Sequence, residues 1–251
     1  MKKKIFILLG LFLILVIAFT PAKLLSGFMP DRSPVSLSGV SGSVWSGEIN
    51  QVSVKQFTFK GVLFSIDLLS LVKVSPAVFL DIAGGDVSGT LIFHQTEDFN
   101  KSIKVEDVNV NFSGELLKNF LPLPGLELSG DFSTQELALL TQNRKPTNID
   151  GMIRWQNAQV SYAGQSFQLG DFNIVATTDE EKKLITAQIL KSKNALDLQG
   201  QVSLAANGMV EITGSISTET DQNLYNAFAL FNNGKPKDGR LPIKFKQRIF
   251  R

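Results

Sequence analysis

From residue 35 onward the chain is dominated by one pattern, the alternation of apolar and polar side chains with period two. Val108, Val110 and Phe112 face one way, and Asp107, Asn109 and Asn111 face the other. Leu126, Leu128 and Phe132 alternate with Glu127, Ser129 and Asp131. Leu196, Leu198, Val202 and Leu204 alternate with Asp197, Gln199, Gln201 and Ser203, and Val210, Ile212 and Ile216 with Glu211, Thr213 and Ser215. Successive side chains of a strand point to opposite faces, so this pattern predicts antiparallel strands with one dry and one wet face. Turn-forming clusters separate the runs: Gly84–Gly85–Asp86, Ala163–Gly164 and Asn207–Gly208, the last predicting a tight hairpin.

Helical periodicity is scarce. Residues 221–233 place Leu224, Ala227, Phe228 and Phe231 on one helix face. Residues 115–121 predict a short helix stopped by Pro122, and 67–72 a weaker one. Roughly ten strands then have one or two short helices to cover their apolar face. Such a sheet must curl on itself, stack as a sandwich or leave an open groove. An apolar-x-Gly-x-apolar pattern recurs around Gly89, Gly114, Gly130, Gly151, Gly200 and Gly214, each on the inward face. Glycines inside strands mark bends, bulges or close backbone approach, so the sheet is expected to be strongly curved. Leu128, Phe132, Leu198, Val202, Ile212 and Ile216 are the candidate lining of its groove or core.

The N-terminus is of another kind. Lys2, Lys3 and Lys4 precede an uncharged apolar run from Ile5 through Phe6 and Leu13 to Phe19, which extends to about 21 residues if Ala22, Leu24 and Leu25 are counted. The segment reads as a signal anchor or as a cleaved signal peptide, and the lack of a convincing small-x-small site after the run favours the anchor. Lysine asymmetry keeps residues 1–4 in the cytoplasm, makes 5–25 the single transmembrane anchor and puts the β-rich domain, 26–251, outside. That compartment is the periplasm if the cell is a diderm bacterium.

The charge divides in the same way. Lys2–Lys4 and Lys23 supply +4 and residues 235–251 supply +6, against a total of +2, so residues 24–234 carry −8. Leu241, Ile243, Phe245 and Ile249 alternate with Pro242, Lys244, Lys246 and Arg248, so the basic end reads as a last strand with a solvated cationic face. A second reading rests that face on anionic headgroups or an acidic partner. So small a total charge argues against nucleic-acid binding.

Chemistry-bearing residues are few. The chain has no Cys and one His, which excludes a disulfide, a thiolate zinc site and a cysteine nucleophile. His94 sits opposite Leu91 and Phe93 as a solvated strand residue, and no Walker A, GxSxG, HExxH or GxGxxG pattern is present. Asp179–Glu180–Glu181 runs straight into Lys182–Lys183, a polar hairpin loop. Trp45 and Trp155 read as core anchors. No enzyme activity, cofactor or metal is expected.

A set of short motifs follows the apolar N-terminus in order. LSGVSGSVWSGEINQVSV (37–54) contains Gly39, Gly42, Trp45 and Gly47 in a G-x-x-G-x-x-W-x-G stretch. LPLPGLELSGDFSTQELAL (121–139) contains Gly130, IDGMIRWQNAQVSYAG (149–164) contains Gly151 and Trp155, and FQLGDF (167–172) and LDLQGQVSL (196–204), with Gly200, follow. In content and order the chain resembles the type II secretion system protein N family, itself similar to AsmA-like envelope proteins. It departs at Phe64–Ser65–Ile66–Asp67–Leu68, where the family often has a W-x-L-x-P segment. The resemblance implies a non-catalytic component of the secretion machinery, held in the inner membrane with its bulk in the periplasm and working with other subunits of that system. Its AsmA-like side implies an apolar β-groove and lipid as a partner.

Overall fold

The computed structural model describes residues 12, 16, 19–27, 33–68, 70, 76–94, 96, 102–120, 125, 127–143, 145–162, 164–191, 194–220, 222, 225, 226 and 235–248. Among them the protein is mainly β, with thirteen strands in two compact units, Met1–Gln95 and Thr96–Arg251. The first unit holds β1 (Val35–Gly42), β2 (Ser46–Val54), β3 (Phe57–Ile66), β4 (Ala77–Gly85) and β5 (Val87–His94). The second holds β6 (Ser102–Ser113), β7 (Glu127–Gln142), β8 (Lys145–Tyr162), β9 (Gln165–Asp179), β10 (Leu184–Leu190), β11 (Gln199–Ala205), β12 (Met209–Ser217) and β13 (Arg240–Arg248). In each unit the order in the sheet is the order in the chain, every pairing is antiparallel, and the sheet does not close. Of the three outcomes open to a sheet with few helices, a sandwich within either unit is therefore set aside.

In the first unit the inward set is Val62, Phe64 and Ile82, buried with Val40, Ile49 and Ala22, and flanked by Leu80 and Leu91. Leu63 and Phe79 take the other face and are 48% and 42% exposed. The expected membrane span, 5–25, lies outside the described residues apart from Phe12, Val16 and residues 19–25, and no helix among the described residues is long and apolar enough to cross a membrane. The end of that stretch is built into the fold. Pro21 bridges to Ser43, the Ala22 N–H donates to the Gly42 carbonyl at 3.0 Å, the Val44 N–H donates to the Thr20 carbonyl, and Ala22 is fully buried. A four-residue helix, α1 (Leu24–Gly27), follows them.

The hairpin expected at Asn207–Gly208 joins β11 to β12, with the Asn207 side chain accepting from the Met209 N–H at 3.0 Å. The helix expected over 115–121 is a 3₁₀ turn, Gly114–Phe120, so Gly114 opens that turn instead of bending a strand. Of residues 67–72 only Asp67, Leu68 and Ser70 are described, and of 221–233 only Gln222, Tyr225 and Asn226; the rest of both lies outside the described residues.

β7, β8 and β9 run 16, 18 and 15 residues, far beyond the ordinary strand of about 5–6 residues. Strands this long follow a curved path through bulges. Asp107, Glu136 and Asn157 adopt left-handed backbone at register shifts in three adjacent strands. Side chains from neighbouring strands occupy ladder positions that the shifts disrupt. Asn109 accepts from the Glu136 N–H at 2.8 Å, and Asp171 from the Asn157 N–H at 2.9 Å. Thr134 accepts from the Val110 N–H and donates to the Val108 carbonyl.

Candidate functional site

The second unit carries a row of four aromatic rings across four strands. Phe112, Phe132, Trp155 and Phe172 are register partners in turn, with successive centroids 5.2, 5.1 and 5.5 Å apart and the rings stacked. The Trp155 indole N–H reaches past the row and donates to the Ser129 carbonyl at 2.9 Å. Cross-strand aromatic pairs of this kind stabilise a sheet and fix its register.

Beyond the row a closed core forms. Ala158, Leu169, Phe172, Leu196, Ile216 and Leu241 are buried together, with Leu198 and Tyr225 packed against them. Leu196 had been expected inside the strand 196–204. The strand instead begins at Gln199, because the backbone folds inward before it. Asn194 accepts from the N–H groups of Leu196 and Leu198, Asp197 adopts left-handed φ, and the Ala195 N–H donates to the Leu169 carbonyl at 2.7 Å. Leu196 thereby plugs one end of the apolar face. Arg240 locks the plug in place: its guanidinium donates to the Asp197 carboxylate at 2.6 Å, to Ser215 Oγ at 2.7 Å and to the Ser215 carbonyl at 3.0 Å. The Arg240 hydrogen bond holds the Asp197 carboxyl below the usual carboxylate range, with partial burial opposing it.

The other end of the unit is different. The β7–β8, β9–β10 and β11–β12 turns all lie there, and they surround a cavity of about 460 Å³. Leu140, Pro146, Ile185 and Leu204 contribute apolar lining, and Lys145, Lys183 and Glu180 stand among the turn residues. Along the inward face between plug and mouth, Val202 pairs with Ile212 and Ile212 with Phe245. Val202 and Ile212 are half-buried and Phe245 is 48% exposed. The six candidate groove residues therefore divide: Phe132 and Ile216 are closed core, while Leu128, Leu198, Val202 and Ile212 remain half-buried.

The motif glycines are placed by contact. Gly42 and Gly47 are register partners at the β1–β2 hairpin, and a Cβ on Gly42 would stand 2.6 Å from Gly47 Cα. Trp45 sits in the turn between them, half-buried, and its carbonyl accepts from the Ile66 N–H at 2.7 Å. Gly39, Gly130 and Gly151 have positive φ. Gly200 lies opposite Gly214. Of the anchor residues, Phe19 is described and exposed; Lys2, Lys3, Lys4, Ile5, Phe6 and Leu13 lie outside the described residues. His94 pairs with Ala77 on the face of Phe79 and Ile92 and is half-buried. Among the described residues no three His, Asp or Glu side chains gather as a metal site.

Sequence reasoning missed Leu196 as a plug and Arg240 as its clamp. The only hint lay in Asn194 and Asp197, turn-forming residues just before a patterned run. Comparison with known proteins bears on the whole sheet. The curated "Type II secretion system protein N" of Aeromonas hydrophila is 24% identical over 259 residues, covering 99% of this chain and 100% of that protein. No solved structure matches significantly. The profile of the family described as "Type II secretion system (T2SS), protein N" matches residues 33–244, from just before β1 into β13, and the chain belongs to that family.

Proposed function

We propose that this protein is a non-catalytic component of the type II secretion system that takes part in export of folded proteins across the outer membrane. The observation that carries the reading is that the family match covers the strand-forming stretch in both units, 33–244. The strands are thus the working part, and the half-exposed apolar residues within each unit suit a contact subunit better than an enzyme. In this reading residues 5–25 anchor the chain in the inner membrane, with the N-terminus cytoplasmic and the β units in the periplasm, where they meet other subunits of the system. Deleting the gene and following exoproteins tests it. Retention of exoproteins in the periplasm, restored by the parent chain and by His94→Ala, is expected. Unchanged secretion with normal assembly of the machine would overturn it.

A second reading, handling of lipid, is favoured by one arrangement: the apolar face of the second unit is plugged by Leu196 at one end and reaches a cavity beside Lys145 and Lys183 at the other. An acyl chain along Val202 and Ile212 with an anionic headgroup at the mouth fits that layout. Native mass spectrometry of gently purified protein should then show copurifying lipid that Ile212→Asp removes without unfolding the sheet. Lipid-free protein, or unfolding by Ile212→Asp, would count against it.

A further inference from the structure

Among the described residues the last strand of the second unit has one edge without a strand partner, and its chemistry can be read position by position. The Thr218 N–H donates to the Gly239 carbonyl at 2.9 Å, and Ser217 is the register partner of Arg240. In an antiparallel ladder hydrogen-bonded pairs alternate, so the odd-numbered residues of β13 turn their N–H and C=O toward β12. The even-numbered ones turn theirs away. Arg240 confirms the parity, since its N–H donates to the Lys237 carbonyl. Pro242 follows and has no N–H to present, as suits a proline in an edge strand. The first part of the edge is thus occupied or blocked. Lys244, Lys246 and Arg248 present their backbone groups outward, and every residue from Lys244 to Arg248 is exposed.

The side chains along this stretch are equally legible. Lys244, Lys246 and Arg248 share one face, where Lys246 reaches Glu211 at 3.3 Å. Lys244 and Arg248 have no carboxylate partner among the described residues. On the opposite face Phe245 is 48% exposed although it pairs with Ile212. A strand laid against this edge would put one residue beside Lys244 and another beside Arg248 on the cationic face, with an apolar residue beside Phe245.

We propose that the Lys244–Arg248 edge of β13 is a docking site that takes an extended segment of another protein as an added strand, with acidic residues facing Lys244 and Arg248 and an apolar residue covering Phe245. Backbone pairing supplies the attachment, and the charge and the ring supply the choice of partner. Edge lysines also discourage indiscriminate strand pairing, which makes a segment of matched charge the occupant that escapes the exclusion. The inference stands apart from the secretion reading: it concerns an edge and its chemistry, whichever assembly supplies the segment.

The test uses the full-length protein and a fluorescein-labelled peptide with the core Glu-Val-Thr-Val-Glu. Saturable anisotropy that weakens with added salt is expected, because the charge pairs are exposed. The Lys-Val-Thr-Val-Lys peptide and a version N-methylated on its pairing amides should bind at least roughly tenfold more weakly. The double variant K244E/R248E should lose affinity by a similar factor. Lys244→Pro removes an outward N–H that β12 does not use, so the circular dichroism of the sheet should stay while binding falls. The proposal is overturned if no saturable binding appears below about 1 mM, or if the acidic peptide binds K244E/R248E and Lys244→Pro as well as it binds the parent. Concentration-dependent dimerisation abolished by Lys244→Pro, with no peptide binding, would assign the edge to a second copy and also overturn it.

Discussion

Gly200→Ala is the sharpest test of the packing. Gly200 and Gly214 face each other across β11 and β12. A methyl on Gly200 would stand 2.5 Å from the Thr213 carbonyl oxygen and 2.8 Å from Gly214 Cα. On Gly214 it would stand 2.5 Å from the Gln199 carbonyl oxygen. Neither glycine has left-handed φ, so the cost is contact alone, without a backbone penalty. Carbon contacts are comfortable at about 3.5–4.0 Å, so the two strands must separate by something near an ångström or distort their ladder. Overpacking of this kind costs about 1–3 kcal/mol. Urea unfolding followed by Trp155 fluorescence in a Trp45→Phe background reports on the second unit. With a urea dependence of about 1–3 kcal/mol per molar, the midpoint should fall by about 1 M. Gly214→Ala should behave alike, and the double variant should lose less than the two losses added, because one separation accommodates both methyls. Gly84, with open space around it and no positive φ, is the control in the first unit, followed by Trp45 fluorescence in a Trp155→Phe background: Gly84→Ala should be neutral or slightly stabilising. If Gly200→Ala unfolds within about 0.3 M of the parent, or Gly84→Ala falls as far, the close approach of these strands is wrong.

Other outcomes follow from single side chains. Trp155→Ala removes the middle of the aromatic row and should cost about 3–5 kcal/mol in urea unfolding followed by circular dichroism, whereas Trp155→Phe keeps the stack and should lose only about 1 kcal/mol for the bond to Ser129. Asp197 is held below its ordinary range by Arg240, so its contribution is fully present at neutral pH and is lost as pH falls below about 4. The stability gap between the parent and Asp197→Asn should therefore narrow on acidification, and a gap that widens in acid would contradict the Arg240 clamp. Because the chain has no Cys, single cysteines report topology: Ser36→Cys should react with a membrane-impermeant maleimide added to the periplasm and Lys3→Cys should not. The opposite pattern would reverse the proposed orientation.

Much of the fold was legible in the alternation, because period two is a local property of each strand. The runs at 108–112, 128–132, 202–204 and 210–216 all lie in strands. What was illegible depends on strands far apart in sequence. Asp107, Glu136 and Asn157 take left-handed backbone without being glycine, and they are held there by their place in neighbouring ladders, so nothing at those positions announces a bulge. The aromatic row exists only once three registers are fixed. The Arg240–Asp197 contact joins residues 43 apart, and it turns what looked like one more basic residue of the tail into the lock on the plug. Leu196 fitted the alternation of its run and yet leaves the sheet, because the Asn194 cap and the Asp197 backbone outweigh a two-residue period. Of the six groove candidates Phe132 and Ile216 are buried while Leu128, Leu198, Val202 and Ile212 are half-buried, a division that no two-residue period announces.

Photocrosslinking in the native envelope tests the central claim most directly. A photoreactive residue placed at Phe79, exposed on the first unit, and another at Phe245, on the edge of the second, would report what meets each unit in living cells. The account predicts discrete adducts with other type II secretion subunits, present in secreting cells and lost when the machine is not assembled. Adducts confined to lipid, or to proteins unconnected with secretion, would contradict it.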